Sequence, residues 1–148
     1  MRVLIDDCVI IDALQNRYPF ADIAKEIVRY VAKRKIRGYI TASSVTDIYY
    51  IMRKYIHNEK ETHDAIDKLL KIFEIIDITN KDLRDALCSK MQDFEDAVIS
   101  VAAKKYDLDL IITRNLDDFK FSEVVAMSPN DFFEYLKQNP QEVNQFEV

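Results

Sequence analysis

Glycine occurs once in the 148 residues, at Gly38. That scarcity excludes the phosphate-cradling P-loop and the dinucleotide-binding fingerprint, which need several glycines for close backbone approach to phosphate. Histidine is nearly as scarce, with only His57 and His63 present. A histidine-based triad or a zinc site therefore has little to build with. The two cysteines, Cys8 and Cys88, show no metal-type spacing and suit reduced thiols in a cytosol. Apolar runs such as Val3 to Ile5 and Val9 to Ile11 are far too short to cross a bilayer. Met1 enters a strand-like segment directly, without signal-peptide architecture, so we expect a cytoplasmic protein with no membrane contact. Whatever chemistry the chain performs must come mainly from carboxylates.

What is present describes a folded domain. Apolar residues make up 49% and charged residues 32%, which excludes overall disorder, and the length suits one domain with a real core. The net charge of −5 is unevenly spread. Residues 1–60 carry 11 Lys and Arg against 7 Asp and Glu, whereas residues 61–148 carry 10 against 19. The basic excess gathers in Lys33, Arg34, Lys35 and Arg37, with Arg53 and Lys54 further on. Such a run is ordinarily a solvated helix end, with a phosphate-binding patch as the alternative.

Hydrophobic periodicity orders the chain. Arg2 to Asp6 reads as a buried strand, followed by a helix through Leu14. Pro19 is expected to open a second helix to about Lys35, broken by Gly38, before a strand at Tyr39 to Thr41. Helices follow over about Ser43 to His57 and Glu61 to Phe73, then a strand at Glu74 to Ile78 and a helix capped by Asn80. Asp93 starts another helix ending near Tyr106. Strands are expected at Asp109 to Thr113 and Val124 to Met127, and Ser128-Pro129 opens a last helix to about Lys137. Strands alternating with helices imply an α/β fold, a three-layer αβα sandwich with a mostly parallel four- to five-stranded sheet. Residues 1–137 read as one domain and 138–148 as a flexible tail.

Four acidic loci stand out: Asp6 and Asp7 with Asp12, Asp47, Asp93 with Asp96, and Asp117 with Asp118. In parallel sheets the working site lies beyond the carboxyl ends of the strands, where Asp6, Asp7 and the segment from Thr113 to Asp118 fall. Carboxylates gathered there would suit Mg²⁺, which takes hard oxygen ligands, and two such ions can clamp a phosphodiester. Each locus also has a plain alternative. Asp6 or Asp7 could cap the following helix; Asp93 is a natural N-cap and Asp96 favours the helix dipole. Asp47 lies nearly opposite the apolar stripe of its helix, beside Tyr50 and Ile51. Asp117 and Asp118 could be turn residues.

Four segments together resemble the PIN-domain family. VLIDDCVIIDAL (Val3 to Leu14) looks like its opening motif, an aspartate ending strand one and another six residues on. TASSVTDIYYIMRK (Thr41 to Lys54) is similar to the helix carrying the second acid, which falls on Asp47. DFEDAVISVAA (Asp93 to Ala103) resembles the helix carrying the third, at Asp96. IITRNLDDF (Ile111 to Phe119) looks like the TRNxxDF ending, with Thr113, Asn115 and Asp118 at polar positions. The resemblance covers about Val3 to Leu136. It implies a PIN fold, Mg²⁺ or Mn²⁺ as cofactor, and ribonuclease activity, often as the toxin of a toxin–antitoxin pair. Asp6, Asp47, Asp96 and Asp118 are then the expected metal and catalytic residues, with Asp7, Asp12, Asp93, Thr113 and Asn115 as auxiliaries. RNA and an antitoxin protein are the implied partners, and a homodimer is the candidate assembly.

The chain departs from the family's pattern after Asp6. Asp7 and Cys8 stand where Ser or Thr, then Asn or Ser, are usual, and Asp47 stands for the commoner Glu. An inactive PIN-like module that binds RNA or protein is the alternative these departures suggest. A phospho-acceptor receiver domain would need an acid closing strand three and a lysine closing strand five, but Asp77 lies within the former and Met127 closes the latter. A haloacid-dehalogenase-type phosphatase needs Asp-x-Asp after strand one, which Asp6-Asp7-Cys8 does not supply.

Overall fold

Arg2–Ile5 forms β1, with Val3, Leu4 and Ile5 fully buried. It lies at the middle of the sheet, which in this computed structural model, describing residues 1–143, has the order β3-β2-β1-β4-β5. The flanking strands are β2 (Arg37–Thr41), β3 (Glu74–Ile76), β4 (Leu110–Ile112) and β5 (Ala126–Met127), and every pairing is parallel. Among the described residues the sheet has five strands, all parallel, as the expectation of a mostly parallel four- to five-stranded sheet required. Period-two alternation splits the core between the sheet's faces. Val3, Ile5, Ile40, Leu110 and Ile112 pack in one apolar cluster; Leu4, Tyr39 and Ile111 pack in the other. Helices α1 (Asp7–Leu14), α2 (Ala21–Ala32), α3 (Ala42–Ile56), α4 (Glu59–Ile72) and α7 (Pro129–Gln138) contribute to the first cluster. Helices α5 (Asn80–Leu87) and α6 (Phe94–Lys105) cover the second.

Several boundaries differ from expectation for physical reasons. Strand β3 stops at Ile76 rather than Ile78 because its only partner, β2, ends at Thr41, whose hydroxyl caps α3 by accepting from Ser44 N. Thr79, not Asn80, caps α5, since its hydroxyl and the Asp82 carboxylate satisfy each other's backbone N–H groups. Helix α2 starts at Ala21, after a turn in which Phe20 N and Ala21 N both donate to Arg17 O. It ends at Ala32, and the chain reverses through Arg34 at positive φ. Gly38 is therefore no helix breaker. It lies within β2, where a Cβ would come 2.5 Å and 2.6 Å from the Val31 methyls. Of the expected tail, residues 140–142 form a 3-10 turn and Val143 packs on the first cluster. Residues 144–148 lie outside the described residues. Among the described residues no helix is long and apolar enough to cross a membrane.

The strand order has one functional consequence. Successive crossovers step outward from β1 to β2 to β3, then the chain returns to place β4 on β1's other side. The order reverses between β1 and β4, and a crevice opens there beyond the strands' carboxyl ends. Asp6 follows β1 and Thr113 follows β4.

Candidate active site

At this crevice lies an open cavity of about 460 Å³ lined by seven carboxylates: Asp6, Asp7, Asp47, Asp93, Glu95, Asp96 and Asp118. They arrive from four segments, namely the β1–α1 junction, the middle of α3, the start of α6, and the loop after β4.

Asp6 is 4% exposed and occupies the N-cap position of α1, yet its side chain makes no cap hydrogen bond. The helix-cap alternative therefore fails for it. Instead Thr113 Oγ1 donates to Asp6 Oδ2 at 2.7 Å, and Cys8 Sγ donates to the same oxygen at 3.2 Å. Burial raises the Asp6 carboxyl above its ordinary range, and these two bonds oppose the rise. The polar partners absent from the next two positions in sequence are thus replaced by a threonine 107 residues away and a thiol. Cys8 and Cys88 are both free.

Asp7 is held to about 7, first by burial and then by the charges of Asp6, Asp47 and Glu95, against a hydrogen bond to Ser44. Its Oδ1 is buried without any hydrogen-bond partner. Asp93 caps α6 by accepting from Asp96 N at 3.0 Å, so the cap reading holds for Asp93. Asp96 itself, one turn in, is free of that duty and lines the cavity. Burial, followed by Asp6, Asp93, Asp118 and Asp7, holds its carboxyl at about 7. Burial also raises Asp47, which is half-buried on the cavity wall rather than solvated. Thr113 Oγ1, besides donating to Asp6, accepts from Asn115 N at 3.0 Å and so shapes the loop that presents Asn115 and Asp118. Buried Phe119 anchors that loop.

One expected auxiliary stands elsewhere. Asp12 is 1% exposed and does not line the cavity; Arg114 grips it through Nε and Nη2. Asp117 is exposed and also off the cavity. The basic run is remote, because Arg37 opens β2 at the amino end of the parallel sheet, opposite the crevice, and pairs with Glu74. Glu95, Arg17 and Tyr50 line the cavity without having been singled out in the sequence. For Glu95 the signal was available, since it shares the first helical turn with Asp96. Arg17 sits on the connection between α1 and α2, and Tyr50 sits on the exposed side of α3, and no pattern reveals the aim of either. A larger cavity of about 820 Å³ lies along α5 and α6, but its lysines are engaged by Asp82, Asp85 and Glu123.

The donor set is uniform hard oxygen, with one buried oxygen unpartnered. Among the described residues no three acidic, His or Cys side chains converge closely enough to ligate one ion together. Mg²⁺ commonly takes one or two carboxylates and keeps several waters, so the set suits a hydrated hard cation.

A PIN domain profile matches residues 2–117. The chain belongs to the PIN domain family. Comparison of the sequence with curated proteins yields no match. Among solved structures, a toxin–antitoxin complex from Klebsiella pneumoniae aligns at a TM-score of 0.64 and 24% identity, covering 86% of this chain and 97% of that one. VapBC2 from Rickettsia felis, bound to a promoter DNA fragment, gives 0.67 at 15% identity over 86% and 98%. VapC20 from Mycobacterium tuberculosis, a sarcin-ricin loop cleaving toxin, gives 0.64 at 13% over 83% and 98%. At these identities the likeness is one of fold.

Proposed function

We propose that this chain is a divalent-metal-dependent endoribonuclease, the toxin of a toxin–antitoxin pair, with residues 1–137 as the working domain. The observation that carries the reading is the convergence of seven carboxylates from four segments on one open cavity. Neighbouring carboxylates add to the raised values of Asp7, Glu95 and Asp96, and charges retained at such a cost are the pattern of a functional site. Fold likeness to a toxin–antitoxin complex and to a sarcin-ricin loop cleaving toxin supports RNA as substrate and an antitoxin as partner. Homodimer formation and a cytoplasmic location complete the proposal.

Asp6, Asp47, Asp96 and Asp118 are the residues that would hold Mg²⁺ or Mn²⁺, with Asp7 as an added donor. When bound, such an ion supplies Lewis acidity, making water a better nucleophile and offsetting charge on the phosphodiester. The chain's own contribution is orientation. Thr113 and Cys8 fix the Asp6 carboxylate, and the Asp93 cap fixes the first turn of α6 and thereby Asp96. Because Asp6 is held this way, the departures at Asp7 and Cys8 leave its placement intact, which disfavours the inactive-module alternative.

The test is incubation of purified protein with a pool of cellular RNAs, in EDTA and in Mn²⁺. Cleavage should require Mn²⁺ and be lost in Asp6→Asn and in Asp96→Asn. Undiminished cleavage by either variant refutes the assignment.

A further inference from the structure

Arg17 is, among the described residues, the only basic side chain lining the acidic cavity. Among the described residues no ion pair joins it to any of the seven carboxylates, in contrast to Arg114, which is committed to Asp12. Its position is firmly built. Arg17 N donates to Asp12 O at 3.0 Å, and Arg17 O accepts from Phe20 N and Ala21 N at 2.9 Å and 2.8 Å. Phe20 in turn lies 4.2 Å beneath the Arg114 guanidinium that Asp12 holds. The side chain is oriented as well, because Arg17 Nε donates to Gln15 Oε1 at 2.9 Å. Gln15 Nε2 is buried with no partner, so the carboxamide is held with one end unsatisfied. A guanidinium tied through Nε keeps its terminal NH₂ groups available for a planar, two-point contact with an oxyanion.

An RNA strand approaching seven carboxylates is repelled unless a cation meets its backbone. The basic run at residues 33–37 cannot serve, since it leads into the amino end of β2, opposite the carboxyl-end crevice. Resting on the nuclease reading of this cavity, we propose that Arg17 is its phosphate-docking residue, gripping the non-bridging oxygens of a backbone phosphate, with Gln15 as the residue that positions it. Removing Arg17 should weaken substrate engagement while leaving metal binding intact, because its positive charge opposes a cation in the same cavity.

Arg17→Met, Arg17→Lys and Gln15→Met provide the test, each compared with wild type in three measurements. The first is Mn²⁺ binding by calorimetry. The second is the salt dependence of binding, in Mn²⁺, to a short fluorescein-labelled single-stranded RNA of mixed sequence, and the third is steady-state cleavage of that RNA. Arg17→Met should bind Mn²⁺ at least as tightly as wild type. Its KM should rise about ten- to a hundredfold, the range for a lost charged hydrogen-bonded contact, with a smaller change in kcat. Its log K against log salt slope should shrink by about 0.7, the value for one phosphate contact on a single strand. Arg17→Lys should restore the slope but only part of the KM, since it keeps the charge and loses the fork; if Arg17→Met does not fold, this loss carries the test. Gln15→Met should raise KM in the same direction by a smaller factor. Wild type that cleaves RNA while Arg17→Met and Arg17→Lys keep its KM and slope overturns the docking role and leaves the nuclease reading standing. So does loss of Mn²⁺ binding in Arg17→Met, which would mark the residue as structural. Wild type that binds RNA through Arg17 without cleaving it upholds the docking role and refutes the nuclease. Wild type that neither binds nor cleaves RNA refutes both.

Discussion

Replacing Asp96 by Asn should stabilise the metal-free protein even as it abolishes activity. The Asp96 carboxyl, ordinarily near 3.8, is held at about 7 by burial and by four neighbouring aspartates. Taken whole, that displacement corresponds to about 4 kcal/mol of destabilisation above neutral pH. The cavity is open to solvent, and screening reduces the figure to about 2 kcal/mol. The sign follows from the raised folded value: the folded state binds the proton more tightly than the unfolded chain. The Asp96 contribution to stability is therefore fully present below the unfolded value near 3.8 and is lost as pH rises through about 7. Asn keeps the size, removes the charge, and does not disturb the Asp93 cap, which uses the Asp96 backbone N–H. For a chain of this length about 2 kcal/mol raises Tm by about 4–8 °C. Thermal unfolding followed by circular dichroism in EDTA, from about pH 8 down to about pH 5, reads this directly. Wild type should gain stability on acidification through neutrality, and Asp96→Asn should start higher and gain less. Mn²⁺ at about 100 times its dissociation constant should add about 2.7 kcal/mol to wild type and less to the variant. A variant that melts below wild type in EDTA near pH 8, or gains as much from Mn²⁺, refutes the reasoning.

Gly38→Ala should destabilise by about 1–3 kcal/mol in urea unfolding, because the added methyl collides with Val31 inside a packed core. Thr113→Val should leave the sheet intact but cost about 1–3 kcal/mol and most of the cleavage activity, since it removes the donor to buried Asp6; full activity would show that Cys8 alone suffices. Cys8→Asn should retain or raise activity, an amide being a stronger donor to Asp6 than a thiol. In the wild type, burial pushes the Cys8 thiol up to about 12. Iodoacetamide followed by mass spectrometry should therefore label exposed Cys88 well before Cys8.

The sheet was legible because its strands are short apolar runs separated by amphipathic helices, and part of the site was legible because Asp6 directly follows one such run and Asp118 lies in the loop after another. Asp6 and Asp118 could be placed at the sheet edge from that rule alone. Less accessible was anything decided by a partner far along the chain. Nothing near Asp12 announces Arg114, 102 residues away, so the aspartate reads as a site auxiliary when it is a clasp for the loop. Gly38 reads as punctuation because a glycine's packing role depends on which side chains press against it. The cap of α5 passed from Asn80 to Thr79 because the choice turns on a reciprocal bond with Asp82 that spacing does not reveal. Asp47 falls nearly opposite the apolar stripe on a helical wheel because a wheel shows only the sheet-facing side, whereas α3 also borders the cavity.

The pairing of β4 with β1 sets a timetable. Val3 lies beside Leu110, so the two walls of the crevice are translated more than a hundred residues apart. A nascent chain whose first half has already emerged from the ribosome holds Asp6 and Asp47, but it has neither the Thr113 hydroxyl to steady Asp6 nor the loop bearing Asp118. The chain emerges N-terminus first, and a domain folds as a unit. Here the scaffold is laid down first and the last wall of the acidic cavity arrives near the end of translation. On the nuclease reading proposed above, the chain is thereby unarmed for most of the time it is tethered to its own message.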